Sequence, residues 1–320
     1  MAETIEPIRG VSLWRDAWRR LLRNKLAVFG LVVMTAMLLA VIVGPAIIKW
    51  ATGYTYDLIP SERELVRSMP PSLKHPMGTD DAGRDILARV LQGGRISLMV
   101  GIISTLVSLI VGVSYGAVAG YLGGRIDNVM MRVVDILYSI PYILIVIVLL
   151  SVFGGANTPN WIRSLAETFG GAGNQGLAQI FLLFFALGLV SWLTMARVVR
   201  GQILSLKNQD FVMAARATGV STFGIIFRHL VPNALGPVIV YATLTVPSVM
   251  LTEAFLSFLG IGVQPPYASW GSLANDGIRN LAIFPWQLIA PGVTMALALF
   301  SLNFIGDGLR DALDPQTRKF

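Results

Sequence analysis

Residues 26 to 48 read LAVFGLVVMTAMLLAVIVGPAII, 23 positions without a charge. About 20 apolar residues in a helix are long enough to cross a hydrocarbon core. No water reaches the backbone N–H and C=O groups there, so only a helix, or a strand of a closed barrel, satisfies them. The run lacks the alternation of a barrel strand, and the stretch therefore predicts a membrane-spanning helix. Arg15, Arg19, Arg20, Arg23 and Lys25 precede it. The run is too long for the apolar region of a signal peptide, and no small-x-small cleavage site followed by a soluble domain appears, which predicts a retained helix.

Further charge-free stretches run from Ile96 to Gly124, Ile136 to Ile162, Thr168 to Ala196, Leu230 to Thr252 and Asn280 to Gly306. Allowing for ends in headgroups and loops, spans are expected near 26 to 48, 98 to 122, 131 to 153, 178 to 200, 234 to 258 and 286 to 306. The expected fold class is an all-α membrane protein of six transmembrane helices. Composition agrees, at 54% hydrophobic and 13% charged, against about a quarter charged in soluble domains. The net charge of +7 gathers at the ends of apolar segments, not in a basic run interleaved with aromatics. That placement marks membrane topology and argues against nucleic acid. Cysteine is absent, which excludes a disulfide framework and a thiolate metal site.

Lys and Arg are in excess on the segments that share a side with the N-terminus, among them Arg125, Arg132, Arg197, Arg200, Lys207, Arg216, Arg228, Arg310, Arg318 and Lys319. By the positive-inside rule both termini are expected in the cytoplasm of a multi-pass protein. The chain then divides into a cytoplasmic N-terminus, 1–25, the first span, 26–48, an external loop with a short helix, 49–97, a five-helix core, 98–306, and a cytoplasmic tail, 307–320. Within 11–25, Trp14, Trp18, Leu21 and Leu22 share one helical face and Arg15, Arg19 and Arg23 fall largely on the other. That pattern predicts an amphipathic helix lying in the bilayer interface, with a basic topology signal as the plainer alternative.

Between the fourth and fifth spans lies RGQILSLKNQDFVMAARATGVSTFGIIFRHLVPNA, residues 200 to 234. Asp210 is positioned to cap a short helix through Phe211, Val212, Ala214, Ala215 and Ala217, and Gly219 follows where a helix ends at positive φ. Ala215 and Gly219, four apart, leave one helical face nearly flat for close approach. Phe211 and Val212 offer apolar knobs, and Arg216 offers a charge to an acidic rim. Pro232 is expected to re-enter a helix where its missing N–H is harmless.

MAARATGV followed by IIFRHLVP is similar to the coupling motif of prokaryotic ABC importer permeases, with Ala214, Ala215, Gly219 and Pro232 in matching places within the loop 201–233. Met213 stands where that family often has glutamate, a departure that touches a salt bridge from this position and not the small-residue core. HPMGTDDAGRDILARVLQGGRISLMVG (75–101), EAFLSFLGIGVQPPYASWG (253–271) and GDGLRDALDP (306–315) resemble the second permease subunit of dipeptide and oligopeptide importers. The resemblance covers nearly the whole chain and implies the type I ABC importer permease fold in a prokaryotic inner membrane. It further implies a homologous second permease, two cytoplasmic ATPase subunits that bind ATP and Mg, and an external solute-binding protein. This chain would then hold no cofactor. ATP-driven closure would push the 210 to 219 helix as a lever, so Ala215→Glu is expected to uncouple hydrolysis from transport. Relatives of this branch carry peptides, nickel chelates, glutathione or sugars.

No G-x-x-x-x-G-K-[ST] loop and no nucleophile and base constellation occurs, so no catalytic residue is assigned. His75, Asp80, Asp81 and Asp85 lack the spacing of a metal loop, and Asp81 or Thr79 is expected to cap a short helix bearing Ile86, Leu87, Val90 and Leu91. Asp135 and Glu253 lie inside spans and must face protein or water. They are candidate pathway residues, with packing carboxylates as the other reading. In a rival scheme they form the relay of a proton-coupled secondary transporter. Gly101, Gly112, Gly116 and Gly120 favour tight helix contact, and Pro141 and Pro247 permit bends.

Overall fold

The computed structural model describes residues 13–59, 68–170 and 175–313, and among these the chain is helical with a single isolated bridge between Thr79 and Asp85. Helix α1 covers Leu13–Leu21 and α2 covers Lys25–Thr52. Asn24 starts α2 by accepting from the N–H groups of Leu26 and Ala27, and Gly53 stops it at φ +75°, a conformation open to glycine. Helix α3, Ile86–Leu122, joins the expected external helix to the second span without a break. Its cap is Asp85, which accepts from Ala88 N–H at 2.7 Å. Thr79 instead accepts from Met69 N–H, and Asp81 accepts from Ser68 and Gln287.

The third passage is broken. Helices α4, Gly124–Ser139, and α5, Tyr142–Phe153, meet at 84°. The cause is local: Pro141 crowds the residue before it out of the helical region, and Ile140 sits at φ −91°, ψ 129°. Helix α6, Asn160–Gly170, precedes α7, Gln175–Leu206, and was not anticipated. The short helix α8 spans Asp210–Ala217, and α9 runs from Thr222 to Phe258 with a π-helical stretch at Ile225–Leu230. Pro232 thus sits in the first turn of the α-helical part, Val231–Phe258, as expected, but the π-helical turn runs into it without a break. The wider turn ahead of it lets Val231 N–H reach Ile226 O, and Asn233 Nδ2 donates to the His229 carbonyl at 2.6 Å, so the irregularity absorbs the missing proline donor. Helix α10, Trp270–Ile278, opens with a capping box at Ser269, and α11, Trp286–Leu313, extends past the expected tail boundary.

Five helices among the described residues, α2, α3, α7, α9 and α11, are long and apolar enough to cross a membrane, and the bent α4 and α5 pair counts as a sixth when taken as one span. α3 and α7 form the central seam, where Gly112, Gly116 and Gly120 of α3 lie against Met195, Ala196 and Arg200 of α7, while Gly101 admits Met250 of α9. A second core gathers around Trp270, wholly buried, whose Nε1 donates to the Val90 carbonyl at 2.9 Å. In α1, Ala17 and Leu21 pack on Ala27 and Ala312. Leu21 therefore faces protein, and Trp18 and Leu22 stay exposed on the face left for a bilayer. Trp14 of the expected apolar face lies outside the described side chains.

Candidate functional site

Helix α8 is a surface element fastened at both ends. Gln209, extended at φ −74° and ψ 153°, occupies the cap position without a side-chain bond. Asp210 therefore does not cap; it lies in the first turn, where its charge suits the positive end of the helix dipole. At the other end Gly219 takes φ +79°, its N–H bonds Arg216 O at 3.0 Å, and Val220 N–H bonds Ala215 O at 3.1 Å. This is the Schellman arrangement the sequence foreshadowed. Lys207 Nζ donates to the Gly120 carbonyl at 3.2 Å and ties the end of α7 to α3.

The two faces of α8 differ from expectation. Val212 is fully buried and Ala215 is 7% exposed, packed in one cluster with Ile203 of α7 and Ile225, Ile226 and Leu230 of α9. Phe211, Met213, Ala214, Arg216 and Gly219 face outward. Ala214 and Gly219 are thus exposed, while Ala215 and Val212 are anchors, because residues one apart on a helix point about 100° apart. The Arg216 guanidinium lies 5.2 Å from the Tyr121 ring centroid, a cation–π contact that steadies it without burying it.

A cavity of about 440 Å³ opens where the third passage breaks. Tyr138, Pro141 and Tyr142 line it from the break, Ser191 and Thr194 from α7, and Tyr241, Thr245, Ser248 and Thr252 from α9. Tyr138 hydrogen-bonds Thr194, and the Tyr142 hydroxyl is 3.5 Å from Thr252 Oγ1. Sequence reasoning missed this wall because it carries no charge; the one available signal was hydroxyl residues recurring inside apolar spans.

Neither candidate pathway carboxylate lines the cavity. Asp135 pairs with Arg197 at 2.7 Å, and that guanidinium stacks 4.1 Å above the Tyr138 ring. Glu253 is 1% exposed and accepts from Ser257 Oγ at 2.6 Å, which favours packing within its own subunit. Glu253→Gln preserves the shape and one acceptor, so uptake is expected to stay within about fivefold of the parent, the change that a hydrogen bond worth about 1 kcal/mol allows. A tenfold loss of uptake at equal expression would restore the pathway role. The carboxylates between α2 and α3 are engaged structurally: Asp80 accepts from Arg84 at 2.8 Å and Arg89 at 2.5 Å, and Asp85 pairs with His75 at 2.9 Å. Burial pushes Asp81 up, but hydrogen bonds from Gln287, Asn280 and Ser68 outweigh it and hold the carboxyl below its ordinary value. Asp127 and Arg200, which the sequence reading did not pair, form a two-pronged bond at 2.6 Å on each prong.

Fold and surface together define a multi-pass all-α membrane protein with a short, partly exposed helix, α8, between two of its spans and no nucleotide-binding loop in its sequence. Residues 112–319 match the binding-protein-dependent transport system inner membrane component, and residues 12–71 match the N-terminal TM domain of oligopeptide transport permease C. The chain belongs to that family of permeases. It is 47% identical over 312 residues to the oligopeptide transport system permease protein OppC of Escherichia coli, covering 97% of this chain and 94% of the relative. With the OppC protein of Haemophilus influenzae it shares 44% over 322 residues, 99% of this chain and 94% of the relative. The dipeptide transport system permease protein DppC of Bacillus subtilis is 41% identical over 310 residues, with 97% and 88% covered. A chain of the MetNI methionine ABC transporter, solved in inward-facing conformations, aligns at 16% identity and TM-score 0.49 over 70% of this chain and 96% of that one.

Proposed function

We propose that this chain is one of two permease subunits of an ATP-driven peptide importer, with a homologous permease completing the pathway. Two cytoplasmic ATPase subunits holding ATP and Mg would seat on α8 and its counterpart, both termini would face the cytoplasm, and an external solute-binding protein would deliver the cargo. The observation that carries this reading is the split character of α8. Its outward side, Phe211, Met213, Ala214 and Arg216, is exposed, while Val212 and Ala215 lock it to the start of α9. A push on α8 is then passed through Ile225, Ile226 and Leu230 into α9, whose Tyr241 and Ser248 line the cavity. The π-helical stretch between push and cavity is the natural place for the helix to flex.

Peptide cargo is favoured because the similar proteins are named for oligopeptide and dipeptide transport. Copurification with the neighbouring subunits and reconstitution in vesicles tests the whole scheme. The expected result is a copurifying ATPase and vanadate-sensitive uptake of a labelled tripeptide. Uptake driven solely by a proton gradient would refute the ATP-coupled reading, and uptake of a nickel chelate, glutathione or a sugar in place of peptides would refute the cargo.

A further inference from the structure

We propose, resting on the peptide-importer reading, that the cavity at the Ile140–Pro141 break seats the cargo's backbone amides through a wall of hydroxyls and ignores the charge of its side chains. The lining residues include no acid and no base. Its polar groups are hydroxyls, supplied chiefly by Tyr138, Tyr142, Thr194, Tyr241, Ser248 and Thr252. A hydroxyl both donates and accepts, so such a wall matches the N–H and C=O of a peptide unit in either direction. The volume, about 440 Å³, falls in the range of small-ligand sites, roughly 300–1,000 Å³.

The charges nearest in sequence are paired or buried and none lines the cavity. Asp135 and Arg197 each sit about one turn from a lining residue, Tyr138 and Thr194, and close on each other at 2.7 Å. Glu253 directly follows the lining residue Thr252, yet it is 1% exposed and bonded to Ser257. A carboxylate facing the cavity would attract a lysine of the cargo and repel a glutamate, and in a site of low dielectric that preference is large. The arrangement instead leaves acidic, neutral and basic peptides equivalent at this step, so selection by charge falls to the protein that delivers them.

Ser248, exposed in the cavity wall, is the place to test this. In the reconstituted transporter, uptake of a lysine-centred and a glutamate-centred tripeptide is compared, each normalised to its affinity for the binding protein. The ratio is expected near unity in the parent, raised about tenfold by Ser248→Asp and lowered about tenfold by Ser248→Lys, as one charge at several Å in a protein interior allows. Ratios unmoved in both variants, with uptake retained, overturn the proposal and assign the cavity to lipid or to the second permease. The chain has no cysteine, so should the charged variants lose all uptake, Ser248→Cys supplies a unique thiol in this subunit. Its labelling by a small methanethiosulfonate is expected to slow about tenfold under saturating peptide-loaded binding protein and ATP, an occlusion worth about 1.4 kcal/mol; equal rates with and without peptide overturn the proposal. Absence of any peptide uptake by the parent would refute the importer reading itself, a different result from either.

Discussion

Ala214→Glu is expected to cut uptake about 100-fold in the assembled transporter while the subunit stays folded, whereas Ala215→Glu one position along removes the folded subunit altogether. Ala214 is exposed on α8 and Ala215 is 7% exposed in an apolar cluster with Ile203 and Leu230. At Ala214 a carboxylate remains in water in the free subunit, so folding loses little. It becomes costly only when a partner closes over it. Removing the central contact of an interface typically costs at least about 2 kcal/mol, and a charge stranded there adds to it, which together give the 100-fold figure. At Ala215 the carboxylate would be buried without a partner at a cost of several kcal/mol in the chain itself. The sequence-based expectation that Ala215→Glu uncouples hydrolysis from transport is thus redirected: loss of uptake at Ala215 reports folding, and the docking readout belongs to Ala214. ATPase activity separates the two. With Ala214→Glu the complex is expected to purify as membrane subunit and weakly bound ATPase, and peptide no longer stimulates hydrolysis. Wild-type stimulation in that variant would place the docking surface elsewhere.

Why the sequence placed α8 yet misjudged its faces is a matter of pattern strength. Membrane passages are legible because the hydrocarbon core imposes about 20 apolar positions with few exceptions, and the end of α8 was legible because Gly219 fills a position at φ +79° that other residues resist. Eight residues with three alanines make a pattern too short to say which alanine points inward. That is decided by Ile225, Ile226 and Leu230, which arrive through the fold. The break at Pro141 was visible as a permitted bend, but its 84° size depends on how α4 and α5 pack on α7. Glu253 was visible as a costly carboxylate in a span, and its bond to Ser257, one turn along the same helix, was within reach of a spacing argument. Its further bonding to Ser269 and Ser97, which are distant along the chain, was not. The caps were confused for a simpler reason: Thr79, Asp81 and Asp85 all have capping chemistry, and their competing partners, Met69, Gln287 and Ala88, choose among them.

Gly116→Val is expected to destabilise the subunit by at least about 3 kcal/mol, the upper part of the range for overpacked cores, because the obstacle it meets is backbone. A Cβ at Gly116 falls on the carbonyl oxygen of Ala196 and lies 3.0 Å from Val199 Cβ; one at Gly120 lies 2.9 Å from Arg200 O, and one at Gly112 lies 2.6 Å from Met195 Cβ. Residues four apart on α3 thus form a single seam along α7, the close helix contact that small residues permit in a bilayer. Ser104 Oγ donating to Phe184 O at 2.8 Å extends the same seam along α7. Gly201 is the control, since a Cβ there meets nothing within 4 Å, and Gly201→Ala is expected to be neutral or stabilising by up to about 1 kcal/mol. Thermal unfolding in detergent checks both: Gly116→Val should lower the midpoint by at least about 4 °C at reduced yield, as a loss of about 3 kcal/mol implies for a chain of this size. A midpoint within about 2 °C of the parent would mean that the seam yields, by less than about 1 kcal/mol. The result bears on mechanism as well as on stability. If α3 and α7 are held this closely, they move as one body, and the motion that the proposed coupling role of α8 requires is left to α9 and the broken α4 and α5 passage that line the cavity.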